Sequence, residues 1–187
     1  FNALDLTQQS ADILPMYRSD KSYQYLAPLI DTKMLRHQKL AVVTYPNYYG
    51  ECFDINQCVK QFHDYNIPVL IDEAHGAHFN LKHFPKSALE SEADYVVQSY
   101  HKTLPTLTMG SVLFIHKNAP LKDEVIKYLG IFQTSSPSYL VMSSIELAHQ
   151  FYNSYDSSLF FEKRKQFIET LRQQHFEVIE VEDPLKL

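Results

Sequence analysis

An α/β fold with a mostly parallel sheet is what these 187 residues predict, and three observations predict it. Short apolar runs alternate with helix-length amphipathic stretches, the pattern of strand–helix crossovers. Residues 40–45 and 69–71 are apolar at consecutive positions, as in strands covered on both faces. Polar and ionisable residues gather just after the strand runs, at 45–50, 72–78 and 99–102. In open parallel sheets ligands bind beyond the carboxyl ends of the strands, so three such loops point at one shared crevice.

The elements follow in order. The chain opens at Phe1 inside a helical pattern, with neither an initiator methionine nor a signal peptide, and so reads as a piece of something larger. Residues 13–17 form a weak strand broken by Pro15. Residues 40–45 form a strong strand, closed by Pro46. A helix is expected over about 56–65, with Val59 and Phe62 spaced for one face. Pro68 resets the chain before Val69, Leu70 and Ile71, a strand that ends at Asp72. Residues 95–97 make the next strand, ending near Ser99, and Ser111–Ile115 the one after it. Three helices should follow: one with Pro120 in its first turn, one over 139–152, and a charged one over 159–174. In the last, Phe160, Phe161, Phe167, Ile168 and Leu171 read as the buried stripe, and Lys163, Arg164 and Lys165 as the solvated side. Residues 176–181 read as a strand beginning a new unit.

Composition narrows the classes. The 13 tyrosines, 12 phenylalanines and 45% hydrophobic content exclude disorder and suffice for one core. No apolar run reaches the roughly 18 residues of a membrane span. Lysine and arginine total 17 against 22 acidic residues, a net charge of −5, whereas a binder that neutralises phosphates shows a basic excess. Neither nucleic acid nor membrane is therefore an expected partner. Cys52 and Cys58 are too few for a disulfide framework and lack the second pair of a zinc knuckle. They read as reduced thiols, which favours a cytoplasmic setting. Of only four glycines, Gly50, Gly76 and Gly110 fall in the loops around the crevice, where a positive φ or close approach to a ligand calls for glycine.

Two segments carry chemistry. Lys102 sits with Ser99 and His101 on a loop between apolar strands. It is either a solvated lysine or a Schiff-base lysine, which needs a desolvated site and neighbouring cations. Ser99 is placed to bind a phosphate oxygen. Asp72, ending a buried strand, is either a cap or salt-bridge partner, or a carboxylate that keeps a proton on the ring nitrogen of a bound pyridine. His75 would then lie near the ring's phenolic oxygen. Asp72, Glu73, Ala74 and His75 also spell the DEAH-box motif, but no G-x-x-x-x-G-K-[ST] loop accompanies it. A zinc site from His75, His78 and His83 would have a spacing that matches no common ligand pattern. A non-catalytic homologue is the remaining alternative. Tyr45, Tyr48 and Tyr49 either line the crevice or pack at the strand end.

Residues 44–50 (TYPNYYG), 69–79 (VLIDEAHGAHF), 93–107 (ADYVVQSYHKTLPTL) and 133–139 (QTSSPSY) together resemble fold-type I pyridoxal-phosphate enzymes, in particular the prokaryotic Orn/Lys/Arg decarboxylase family. They stand in the family's order and cover most of the chain. The resemblance implies part of a three-layer αβα PLP-transferase-like large domain, with pyridoxal 5′-phosphate as cofactor. It implies decarboxylation of a basic amino acid of the ornithine, lysine or arginine type; an aminotransferase or another lyase of this fold would use the same residues. Lys102 would bind the cofactor, Asp72 would pair with its ring nitrogen, and His75 would face O3′. Ala74 would be among the cofactor contacts, with Ser99 and His101 by the phosphate and the lysine. Catalysis would fall to Lys102, His101 and Asp72, with Lys102 or His101 returning a proton to the substrate carbon. Thr134 would reach the neighbouring subunit's phosphate, which implies a homodimer or higher homo-oligomer. In the plainer reading of that loop, Ser135 or Ser136 caps the next helix with Pro137 in its first turn. No metal is expected. The family's phosphate loop and ring-stacking histidine would precede residue 1, and its C-terminal domain would follow Leu187. Residues 1–187 are thus expected to be an incomplete cofactor-binding major domain, in which roughly 176–187 begins the next unit.

Overall fold

The computed structural model describes residues 2–35 and 37–187, so the helical reading of Phe1 lies outside it. Helix α1 (Asn2–Thr7) leads to an antiparallel ribbon of β1 (Met16–Arg18) and β2 (Tyr25–Pro28). The first strand begins after Pro15 rather than around it. Proline has no N–H to give a ladder, and Pro15 contributes only its carbonyl, which accepts from the Leu29 N–H at 2.7 Å.

The central sheet comprises β3 (Ala41–Thr44), β4 (Val69–Asp72), β5 (Tyr95–Ser99) and β6 (Ser111–Ile115), adjacent in that order. The first three run parallel and β6 is antiparallel to β5. Between β3 and β4 lies α2 (Ile55–His63). Asp54 caps it by accepting from the Gln57 N–H at 2.9 Å. Ile55, Cys58, Val59 and Phe62 recur at helical spacing and are all buried, so one face of α2 closes the core. Asn66, at φ 57°, then turns the chain towards β4.

Strand alternation gives the sheet two unlike faces. Val43, Val69, Ile71 and Val96 pack with the α2 residues in the main core. On the same side, Val112 and Phe114 of β6 meet α5 (Tyr139–Ser154) through Ala148 and Ile145, beside Tyr100 and Leu104. The opposite face carries Val42, 65% exposed, together with Thr44, Leu70, Asp72, Val97 and Ser99, none of them buried. Full cover of β3 and β4 on both faces is therefore not observed among the described residues. The open face is the one that carries the polar strand ends.

Helix α4 (Lys122–Phe132) starts two residues later than Pro120. Leu121 takes a left-handed conformation at φ 56°, which breaks the helical path, and the Pro120 carbonyl is taken by the Tyr95 hydroxyl. In α6 (Ser158–Gln173), Phe160 and Phe161 pack on Phe84 with centroids 5.6 and 5.4 Å apart. Phe167, expected in that stripe, is 54% exposed, and the side chain of Arg164, expected in solvent, is only 13% exposed. It shares a helix face with Phe160 and Ile168, and its guanidinium is satisfied by the Pro184 carbonyl (2.8 Å) and Glu180 (2.9 Å). Residues 176–181 are not a strand: no ladder partner meets them among the described residues. The Phe176 N–H instead closes α6 on the Leu171 carbonyl, and Glu180 is drawn to Arg164 and Arg172.

Candidate active site

Parallel pairing brings the carboxyl ends of β3, β4 and β5 to one edge. Thr44 is in register with Asp72, and Asp72 with Val97, so Ser99, two residues on, shares their face. Asp72 accepts from the Ala74 N–H at 3.1 Å, an Asx turn that reverses the chain at the strand end. Half-buried Ala74 lies on that turn, which carries His75 to Lys102 with Nε2 and Nζ 3.4 Å apart. The expected loop at Lys102 is instead a single helical turn, α3 (Tyr100–Thr103), closed by the Leu104 N–H on the Tyr100 carbonyl at 2.8 Å. It forms directly from β5 and leaves the Lys102 side chain exposed at the edge.

His101 is anchored behind Lys102. Its Nδ1 lies 2.9 Å from the Gly110 carbonyl, which also accepts the His101 backbone N–H at 3.2 Å. A carbonyl can only accept, so in the neutral ring Nδ1 carries the proton and Nε2 the lone pair. The Ser99 hydroxyl makes no capping bond to α3. The half-buried His75 ring packs edge-on against Tyr48 at 5.1 Å. Burial, then the charges of Lys102 and Lys186, hold its pKa below the usual histidine value. A neutral ring can accept from the Lys102 ammonium.

Beneath this edge lies Glu73, fully buried. Its carboxylate accepts from the Ala88 N–H (2.7 Å), the Ser87 hydroxyl (2.7 Å) and the Gln98 amide (2.5 Å). Burial outweighs these three donors and pushes its carboxyl up to about 7. A Cβ at Gly76 would come within 2.7 Å of the Glu73 Cγ, so the close approach there is to this side chain. Gly50 is the glycine with a positive φ, at 85°.

Other expected residues go elsewhere. The Thr134 hydroxyl, in the exposed loop between α4 and α5, accepts from the Ser136 N–H at 3.1 Å. Ser138, not Ser135 or Ser136, caps α5, and Pro137 precedes the cap instead of opening the first turn. The three histidines have three different surroundings: His75 meets Lys102, His78 bonds Asp183, and His83 packs on Phe161. Tyr45 is a core residue against Phe53 and Phe79, while Tyr48 and Tyr49 stay exposed at the edge. Cys52 and Cys58 are free thiols, pushed by burial up to about 12 and about 11. Sequence reasoning passed over Glu73, Asp183 and Lys186. For Glu73 a signal exists: extending the β4 alternation by one residue puts it on the side of Val69 and Ile71. No local pattern announces the other two.

Residues 14–184 match the family described as Orn/Lys/Arg decarboxylase, major domain. The Bacillus subtilis (strain 168) protein named "Uncharacterized protein YaaO" is 46% identical over 134 residues, 71% of this chain and 28% of that protein. An arginine decarboxylase of the same strain is 36% identical over 110 residues, 58% of this chain and 22% of the relative. The chain thus spans about a quarter of the length of these curated relatives. Two solved structures share the fold. Sphingomonas wittichii serine palmitoyltransferase aligns with a TM-score of 0.58 at 20% identity, covering 81% of this chain and 39% of that one. A SepCysS–SepCysE N-terminal domain complex aligns with a TM-score of 0.59 at 15% identity, covering 96% and 51%. Among the described residues no helix is long and apolar enough to cross a membrane.

Proposed function

Because this chain belongs to the Orn/Lys/Arg decarboxylase family, we propose that it forms much of the cofactor-binding domain of a pyridoxal-phosphate-dependent decarboxylase of a basic amino acid. The observation that carries the reading is the Lys102–His75 contact of 3.4 Å at the strand edge that also bears Asp72. The donor set suits the cofactor: an amine for its aldehyde, a carboxylate for a cationic ring nitrogen, and an uncommitted Ser99 hydroxyl for its phosphate. When bound, that group supplies an electron sink for the pair left on Cα as carbon dioxide departs.

The chain's own residues would do the rest. Asp72, oriented by its bond from Ala74, would hold a proton on the ring nitrogen by charge. Neutral His75 would accept from or donate to the phenolic oxygen, with Ala74 beside it. Lys102 or His101 would return a proton to the substrate carbon; His101 would first have to take that proton on Nε2, because its Nδ1–H is held by the Gly110 carbonyl. Thr134 would serve the neighbouring subunit's phosphate in a homodimer. The reduced thiols favour a cytoplasmic enzyme. The arginine decarboxylases among the relatives make L-arginine the first substrate to assay.

Borohydride reduction of the full-length protein tests the reading. A pyridoxyl group should be found on Lys102 in a peptide digest. A label on Lys82 or Lys86, or none at all, ends it.

A further inference from the structure

A line of contacts runs from Lys102 into the C-terminal segment. Lys102 meets His75 at 3.4 Å, His75 packs on Tyr48 at 5.1 Å, and the Lys186 ammonium lies 5.4 Å from the Tyr48 ring centre. A cation over an aromatic face at this distance is attracted to it.

Lys186 is held in place by more than that ring. The Asp183 N–H donates to the Gly50 carbonyl at 2.8 Å, and the Lys186 N–H to the Asp183 carbonyl at 3.0 Å. The Lys186 stem lies over Gly50, where a Cβ would come within 2.6 Å of its Cγ. The Asp183 carboxylate accepts from His78 Nε2 at 2.9 Å, with side chains 0% and 2% exposed. His78 follows His75 by three residues, so one turn grips both the active-site lysine and the segment that presents a second lysine.

Two ammonium groups thus flank the Tyr48–His75 pair, and both lower the His75 pKa, against Asp72 and Asp183, which raise it. A basic amino acid brings a carboxylate at one end and a cation at the other. With the Lys102 amine taken up by the cofactor, the Lys186 ammonium is the one left beside Tyr48 to attract the first and repel the second, and so to set which way round the substrate enters.

We propose that Lys186 binds the α-carboxylate of the amino-acid substrate, and that the buried Asp183–His78 pair positions it. The proposal rests on the decarboxylase reading and adds a residue to it. The test uses the full-length protein and whichever of L-arginine, L-lysine and L-ornithine it decarboxylates. Lys186→Met should raise KM at least tenfold, while the matching amine, which lacks the carboxylate, should inhibit no more weakly than before. Lys186→Arg should restore most of the affinity, and Asp183→Asn should raise KM more than it lowers kcat. The borohydride label on Lys102 should persist in each variant, which also reports that the fold survives. An unchanged KM in labelled Lys186→Met, or equal weakening of amino acid and amine, overturns the role of Lys186 alone. Absence of the label from the unmodified protein overturns the decarboxylase reading beneath it.

Discussion

Asp72 and Glu73 are adjacent carboxylates with opposite surroundings, because successive residues of an extended chain face opposite sides of a sheet. Asp72 is half-buried on the open face, whereas Glu73 is enclosed among Ser87, Ala88 and Gln98. The folded state therefore holds the Glu73 proton more tightly than the unfolded chain, with a pKa of about 7 against 4.5. Its contribution to stability is fully present below about pH 4.5 and is lost as pH rises through about 7, since the unfolded state then binds fewer protons. At 1.36 kcal/mol per unit the change amounts to about 3 kcal/mol. Glu73→Gln cannot titrate, so the stability of the wild type minus that of the variant should fall by about 2–3 kcal/mol from pH 5 to pH 8. Urea midpoints at the two pH values measure it; equal differences would show that Glu73 does not titrate in this range.

At the scale of elements, the loop after β3 depends on Gly50. Its φ of 85° is costly for any residue with a Cβ, and a Cβ there would also meet Lys186 at 2.6 Å and Asp183 at 2.8 Å. Gly50→Ala should cost about 1–3 kcal/mol, the usual range for a strained backbone position. It should also loosen the segment from Asp183 to Leu187, seen as faster proteolysis after Val181. Unaltered proteolysis with lowered stability would mean that the strain is absorbed within the loop itself. The position of this glycine, beside a strand end, is legible from the sequence. Its contact with residues 130 and more positions away is not, because local spacing carries no information about distant partners.

For the whole molecule, the proposed dimer has a definite consequence. Thr134 sits between α4, which has no buried residue, and the start of α5, and the surface there is apolar: Phe132 is 84% exposed, Tyr139 79% and Leu140 74%. Contiguous exposed apolar groups of this kind mark contact surfaces. If Thr134 serves the neighbour's site, Lys102→Ala and Thr134→Ala subunits of the full-length protein should complement each other on mixing. Half the dimers would then be mixed, each with one intact site, giving roughly a quarter of wild-type activity. No recovery, or an active monomer in solution, would rule out the shared site.

What the sequence determined by itself was whatever depends on short-range order. The apolar runs placed β3 to β6, the spacing of Val59 and Phe62 placed α2, and parallel crossovers sent Asp72, His75, Ser99 and Lys102 to one edge. Tertiary structure decided what depends on partners far along the chain. It chose which sheet face was covered, turned Arg164 inward to Pro184 and Glu180, and left residues 176–181 without a ladder. It also joined His78 to Asp183 across 105 residues. The physical reason is that periodicity tells a side chain which way to face, whereas burial and hydrogen bonding depend on what the rest of the chain brings to that side.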